Sequence, residues 1–149
     1  MLEVKQFLKE VRWECQEIQR LKLKREEIRS RLIPGSPILK QDMVQTSGSG
    51  DVLGETEAAI NDLDNMIQYD IHRLTMDQIR AIKIIEQIES SAYRQILMDY
   101  YCPASINDMQ ELKDIADRMN YSYDSIRHMH GDALLEAQEV YIKTKKKGS

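Results

Sequence analysis

Five hydrogen-bonding side chains fall within one short stretch: Ser122, Tyr123, Ser125, Arg127 and His128. Their chemistry suits a polyanion. Serine and tyrosine hydroxyls donate to phosphate oxygens, and an arginine fork matches the paired acceptors of a guanine edge. Lys113 and Arg118 lie upstream, where they would reach flanking phosphates. Asp124 opposes phosphate, although at a helix N-terminus it complements the helix dipole. A second basic group, Arg20, Lys22, Lys24, Arg25, Arg29 and Arg31, is interleaved with Glu26 and Glu27. It reads as a solvated face balanced by acid, the alternative being a patch that meets a nucleic-acid backbone or an acidic partner.

Other chemistries lack their spacing. His128 and His130 are two apart, so on a helix they point to opposite sides and cannot face one metal. His72 lies amid Asp70 and Arg73 and is expected in solvent. Carboxylate pairs such as Asp62 and Asp64, or Glu86 and Glu89, have no nucleophile or base beside them. Cys15 and Cys102 are too few for a disulfide framework and stand in no metal-ligand pattern. There is no glycine-rich phosphate loop and no Ser/His/Asp arrangement. The expectation is a protein that is not an enzyme, with no metal and no cofactor.

The elements that must position the five side chains follow from residues 112–131. A helix-turn-helix needs a small residue where its second helix crosses the first, and Ala116 is that residue. Four positions later the turn needs a residue that tolerates positive φ, and Asn120 does so better than most. Ser122 is placed to cap the second helix. Ile115, Met119, Tyr121, Ile126 and Met129 supply the inward-facing apolar positions. Ser122, Tyr123, Asp124, Ser125, Arg127 and His128 are left on the outer face.

The rest of the chain is also helical in pattern. Of 149 residues, 42% are hydrophobic but only 6% aromatic, with eight Met and few Gly or Pro, which favours helix over sheet. Apolar residues recur at helical spacing from Val4 to Leu32, and Ile33-Pro34-Gly35-Ser36-Pro37 ends that run. A flexible connection over 34–53 follows, with Asp51 as the expected cap of a second long run from Glu55 to Ser90. Both stripes are narrow. Two long helices burying each other as an antiparallel hairpin, or a self-associating coiled coil that makes a homodimer, would satisfy them equally. Tyr93 to Tyr100 marks a short third helix, and Ser105 with Asp108 resembles a capping box for the next.

The expected organisation is therefore all-α: a helical hairpin or coiled coil over 1–90, a helix-turn-helix domain over 91–142, and a basic tail over 143–149. Net charge is −4, with the acid concentrated in the middle third. No apolar run approaches the roughly 20 residues that span a bilayer, and Met1-Leu2-Glu3-Val4-Lys5 lacks a signal-peptide core. A cytoplasmic protein with no membrane partner is expected.

The chain resembles a family of small proteins of unknown function from prophages of Gram-positive bacteria. Its C-terminal half is similar to the promoter-reading region four of RNA polymerase sigma factors and to phage late-gene transcription activators. The matching pieces are the charged N-terminal helix, the loop Val44-Gln45-Thr46-Ser47-Gly48-Ser49-Gly50-Asp51, and Tyr93-Arg94-Gln95-Ile96-Leu97 leading to Ile115-Ala116-Asp117-Arg118-Met119-Asn120-Tyr121-Ser122. The resemblance implies sequence-specific binding of double-stranded DNA through Ser122 to His130 and control of phage genes in the host cytoplasm, with RNA polymerase as a protein partner. The acidic residues beside Arg127 keep open another reading: an interaction or packaging adaptor whose helix-turn-helix docks protein.

Overall fold

A computed structural model describes residues 2–32 and 49–147. These form five α-helices and one 3-10 turn: α1 (Glu3–Leu32), α2 (Ser49–Ile85), α3 (Ser91–Tyr101), the turn Ile106–Asp108, α4 (Leu112–Met119) and α5 (Tyr123–Lys147). No strand occurs among the described residues, and the chain is all-α. No described helix is long and apolar enough to cross a membrane.

Several boundaries differ from those the pattern suggests. The break at Ile33–Pro37 and most of the connection over 34–53 lie outside the described residues. The backbone is already helical at Ser49, so α2 starts before Asp51. At its other end α2 stops at Ile85, short of Ser90. There the N–H groups of Gln87 and Ile88 bond to the carbonyls of Ile84 and Ile85, tightening the last turn into 3-10 geometry. Arg94 donates to the carbonyls of Ile88 and Glu89, satisfying groups that a continued helix would have used. Ile88 stays buried although it is no longer helical, and this is why apolar spacing overruns the helix end. Ser105 caps only the short 3-10 turn, its Oγ accepting from the Asn107 N–H at 3.2 Å. Lys143 to Lys147, expected as a tail, continue α5.

The chain divides into two compact units, Met1–Gln16 with Arg73–Ser149, and Glu17–His72. In the first, α1 and α2 run antiparallel: the Arg80 guanidinium lies over the Phe7 ring at 4.7 Å, and Arg73 lies 3.9 Å from Glu14. Val4 and Leu8 of α1, Ala81, Ile84 and Ile85 of α2, Leu97 and Tyr101 of α3, and Ala133, Leu134 and Ala137 of α5 form one core. The compact units thus do not part near residue 90, because Ile85 and Leu97 on either side of it share that core. The start of α1 is fastened by a side chain from far along the chain: the Val4 N–H, an orphan donor of the first turn, donates to Gln138 Oε1 at 2.9 Å.

In the second unit Ile18, Ile60 and Ile67 are buried with Thr56. Arg25 reaches across from α1 to Asp64 of α2 at 2.9 Å, and Arg29 approaches the same carboxylate at 3.8 Å. The partner that the stripes require is therefore present within the chain, as in the hairpin alternative. The arginines of the basic group at the end of α1, and Lys24 with them, are each paired with acid. Arg20 meets Glu17 at 2.7 Å, Lys24 meets Glu27 at 3.1 Å, and Arg31 meets Glu27 at 3.6 Å. Hydrogen bonding from Lys24 holds the Glu27 carboxyl below its ordinary pKa. This is the solvated, charge-balanced face rather than a bare cationic patch.

Candidate nucleic-acid interface

The turn between α4 and α5 is set by Asn120. Its φ of 62° and ψ of 39° are left-handed, and it is the only non-glycine with positive φ among the described residues. The Tyr121 N–H donates to the Ala116 carbonyl at 2.9 Å and the Asn120 N–H to the Asp117 carbonyl at 3.3 Å. This pairing is a Schellman closure, in which two carbonyls of the ending helix are satisfied as the chain reverses. Ser122 then starts α5, its Oγ accepting from the Ser125 N–H at 3.1 Å. At the other end of α4, Asp114 Oδ2 accepts from the Glu111 N–H at 3.0 Å.

Asn120 makes a local prediction. Asn120→Gly should be neutral or slightly stabilising, because glycine enters the left-handed region freely. Asn120→Val should cost about 1–2 kcal/mol in urea unfolding, the penalty of a branched side chain at that φ. Equal stability of the two variants would mean the turn is held by something other than the residue at its bend.

The packing that fixes α5 against its neighbours is compact. Ile126 is fully buried in a cluster with Ile96 of α3 and Ile115 and Ala116 of α4, with Met119 and Met129 partly buried against it. Ala116, 1% exposed, sits where a larger side chain would separate the helices. Tyr121 departs from the expected pattern: it is 44% exposed. Its backbone is committed to the Ala116 carbonyl, and its ring turns to solvent.

Ser122, Tyr123, Ser125, Arg127 and His128 are all exposed, along with Asp124, Lys113 and Arg118. The first two turns of α5 thus present one polar surface. Two of its cations are not bare. Arg118 donates to Asp99 Oδ2 of α3 at 2.5 Å, and Arg127 lies 3.7 Å from Asp124 while also standing over the Tyr123 ring at 5.7 Å. The Ser122 hydroxyl donates to the Ser125 hydroxyl at 2.9 Å. The involvement of Asp99 carries no local sequence signal, since it stands on another helix.

His130 behaves differently from His128. It turns inward, its Nε2 2.8 Å from the Tyr101 hydroxyl and its ring stacked on that tyrosine. Burial, reinforced by the Lys5 and Arg12 charges, pulls its pKa down to about 4. The two histidines therefore face opposite ways, as their spacing requires.

Arg12 is a residue whose importance composition conceals. Only 8% of its side chain is exposed. Nη1 donates to the Tyr100 carbonyl at 2.6 Å, Nη2 to Glu111 Oε1 at 3.1 Å, and the guanidinium covers the Tyr100 ring at 3.8 Å. It ties the end of α3 and the approach to α4 to the first helix, and so holds the platform on which the turn is built. No family model, curated protein or solved structure matches the chain.

Proposed function

We propose that this chain is a sequence-selective, non-enzymatic DNA-binding protein that regulates transcription, with the first two turns of α5 entering the major groove. The observation that carries this reading is the left-handed turn at Asn120 between two short-spaced helices packed through Ala116 and Ile126. It leaves Ser122, Tyr123, Ser125, Arg127 and His128 together on the outside. In such a motif the N-terminal residues of the second helix meet base edges. Arg127 takes the base-reading role, the hydroxyls of Ser122, Tyr123 and Ser125 contact phosphates, and Lys113 and Arg118 hold the flanking backbone. The phage origin, the late-gene target and RNA polymerase as partner rest on the resemblance described above. So does the bacterial cytoplasm as the place of action.

Selection from a pool of randomised duplexes, followed by anisotropy at low and moderate salt, tests this. A defined motif should emerge, and its affinity should fall with salt as counterions are released. Arg127→Ala should weaken the selected duplex by about 1–3 kcal/mol and flatten preference at one position. Lys113→Ala should weaken all duplexes alike. No retention of any duplex at low salt would sink the proposal.

A second reading is favoured by the aspartates. Asp99 and Asp124 already engage Arg118 and Arg127, so the surface offers little net positive charge. On that reading the same face is an adaptor for a protein partner, and loss of duplex binding together with retained folding is its expected signature.

A further inference from the structure

Helix α5 buries Ile126, Ala133, Leu134 and Ala137 on one side. On the opposite side Gly131, Leu135 and Ile142 fall at intervals of four and seven, which places them on one stripe. Leu135 is 56% exposed and Ile142 is 42% exposed. Gly131 adds a third anomaly. A Cβ there would meet nothing within 4 Å, so nothing among the described residues requires this residue to be small. Glycine in a helix interior nevertheless costs up to about 1 kcal/mol relative to alanine. A small residue at one end of an uncovered apolar stripe is what a close-packed helix seam requires.

Charge indicates which helix fits. Beside the stripe run Asp132 and Glu136, followed toward the C-terminus by Lys143 and Lys146. A copy of α5 laid antiparallel, with Leu135 against Ile142 of the second copy, sets Asp132 and Glu136 beside Lys143 and Lys146 of that copy. Two-fold symmetry repeats the match at the other end. In this register the stem of Lys146 of the second copy crosses Gly131, where a side chain would stand in its way. Glu139 meets its own copy at the centre, one repulsion against the flanking attractions. A parallel arrangement would instead bring the two acidic stretches alongside each other.

We propose that the outer face of α5 is a self-association surface on which a second copy of this chain docks antiparallel, Leu135 of each against Ile142 of the other. The overlap spans residues 131–146, about 24 Å of helix. It is separate from the turns that carry Arg127, and it does not depend on what those turns contact.

Light scattering and sedimentation equilibrium of the full chain, without DNA, test it. The expected mass is that of a dimer which dissociates on dilution. Leu135→Glu, at a position already exposed, should leave helicity unchanged and raise the dissociation constant at least ~10-fold, since it sets two like charges in the seam. Asp132→Lys and Lys143→Glu should each weaken the dimer, and the double charge swap should restore it. Gly131→Leu should weaken the dimer while raising the thermal stability of the monomer, a combination that faulty folding would not produce. A chain that stays monomeric at high concentration overturns the proposal, as does a dimer indifferent to Leu135→Glu. Failure of the charge swap to restore the dimer overturns the antiparallel register.

Discussion

Arg12→Ala should destabilise the folded chain by about 3–4 kcal/mol, read from urea unfolding followed by circular dichroism. The side chain is almost wholly withdrawn from water, and its shortest contact, to the Tyr100 carbonyl, is to a group that has no helical partner. The Tyr100 carbonyl belongs to the last turn of α3, where carbonyls have no helical partner, and a cation there is doubly favourable. Truncation to alanine strands that carbonyl, uncovers the Tyr100 ring and opens a cavity beside it. The companion variant separates these terms. Glu111 is 72% exposed, so Glu111→Ala should cost less than about 1 kcal/mol, as ion pairs open to water do. Arg12→Lys keeps the charge but loses the fork, and should fall between the two. If Arg12→Ala and Glu111→Ala proved equally mild, the ion pair alone would account for the arginine, and the anchoring role given to the carbonyl and ring would be wrong.

The helix-turn-helix was legible because its determinants are local. A small residue at 116, a residue tolerant of positive φ at 120 and a cap at 122 each act within one turn of the backbone, so spacing in the sequence is spacing in space. Ile115 and Ile126 were legible for the same reason, and the exposure of Ser122 to His128 followed from the helical period once Ile126 was placed inside. Long-range pairing was not legible. Arg12 stands among other charged residues of α1 and differs from them only because Tyr100 and Glu111 arrive beside it. Asp99 and Arg118 are nineteen residues apart on separate helices. Tyr121 misled because an apolar residue in an apolar slot reads as core, whereas the closing turn fixes its backbone and swings its ring outward. Apolar periodicity likewise carried α2 too far, since Ile88 is buried by a 3-10 turn as well as by a helix.

Two partly buried titrating groups should shape stability against pH in opposite senses. His130 has a native pKa near 4 against about 6.5 when unfolded. Below about pH 6.5 the unfolded chain therefore binds a proton that the native chain refuses, and stability is lost as pH falls toward 4, by roughly 2–3 kcal/mol in all. Glu14 has a native pKa raised to about 7, chiefly by burial, with the Asp77 carboxylate adding to it and Arg73 opposing. One of its oxygens is buried without a hydrogen bond. Here the native chain holds the proton more tightly than the unfolded one between about 4.5 and 7, so stability falls as pH rises through that window. Water reaching the pair screens it, and about 1–2 kcal/mol is the expected size. The slopes oppose each other between about pH 4.5 and 6.5, so the intact protein should show a broad maximum there. Glu14→Gln should remove the alkaline fall and leave the chain about 1–2 kcal/mol more stable than its parent near pH 8. His130→Gln should be less stable near neutral pH, because the Tyr101 hydroxyl and the stacked ring lose their partner, but its acid limb above pH 4 should flatten. Urea midpoints at half-unit pH steps distinguish these cases. A Glu14→Gln chain no more stable than the parent near pH 8 would mean that the carboxyl is ionised in the fold without cost. An acid limb as steep in His130→Gln as in the parent would assign that limb to the carboxylates instead.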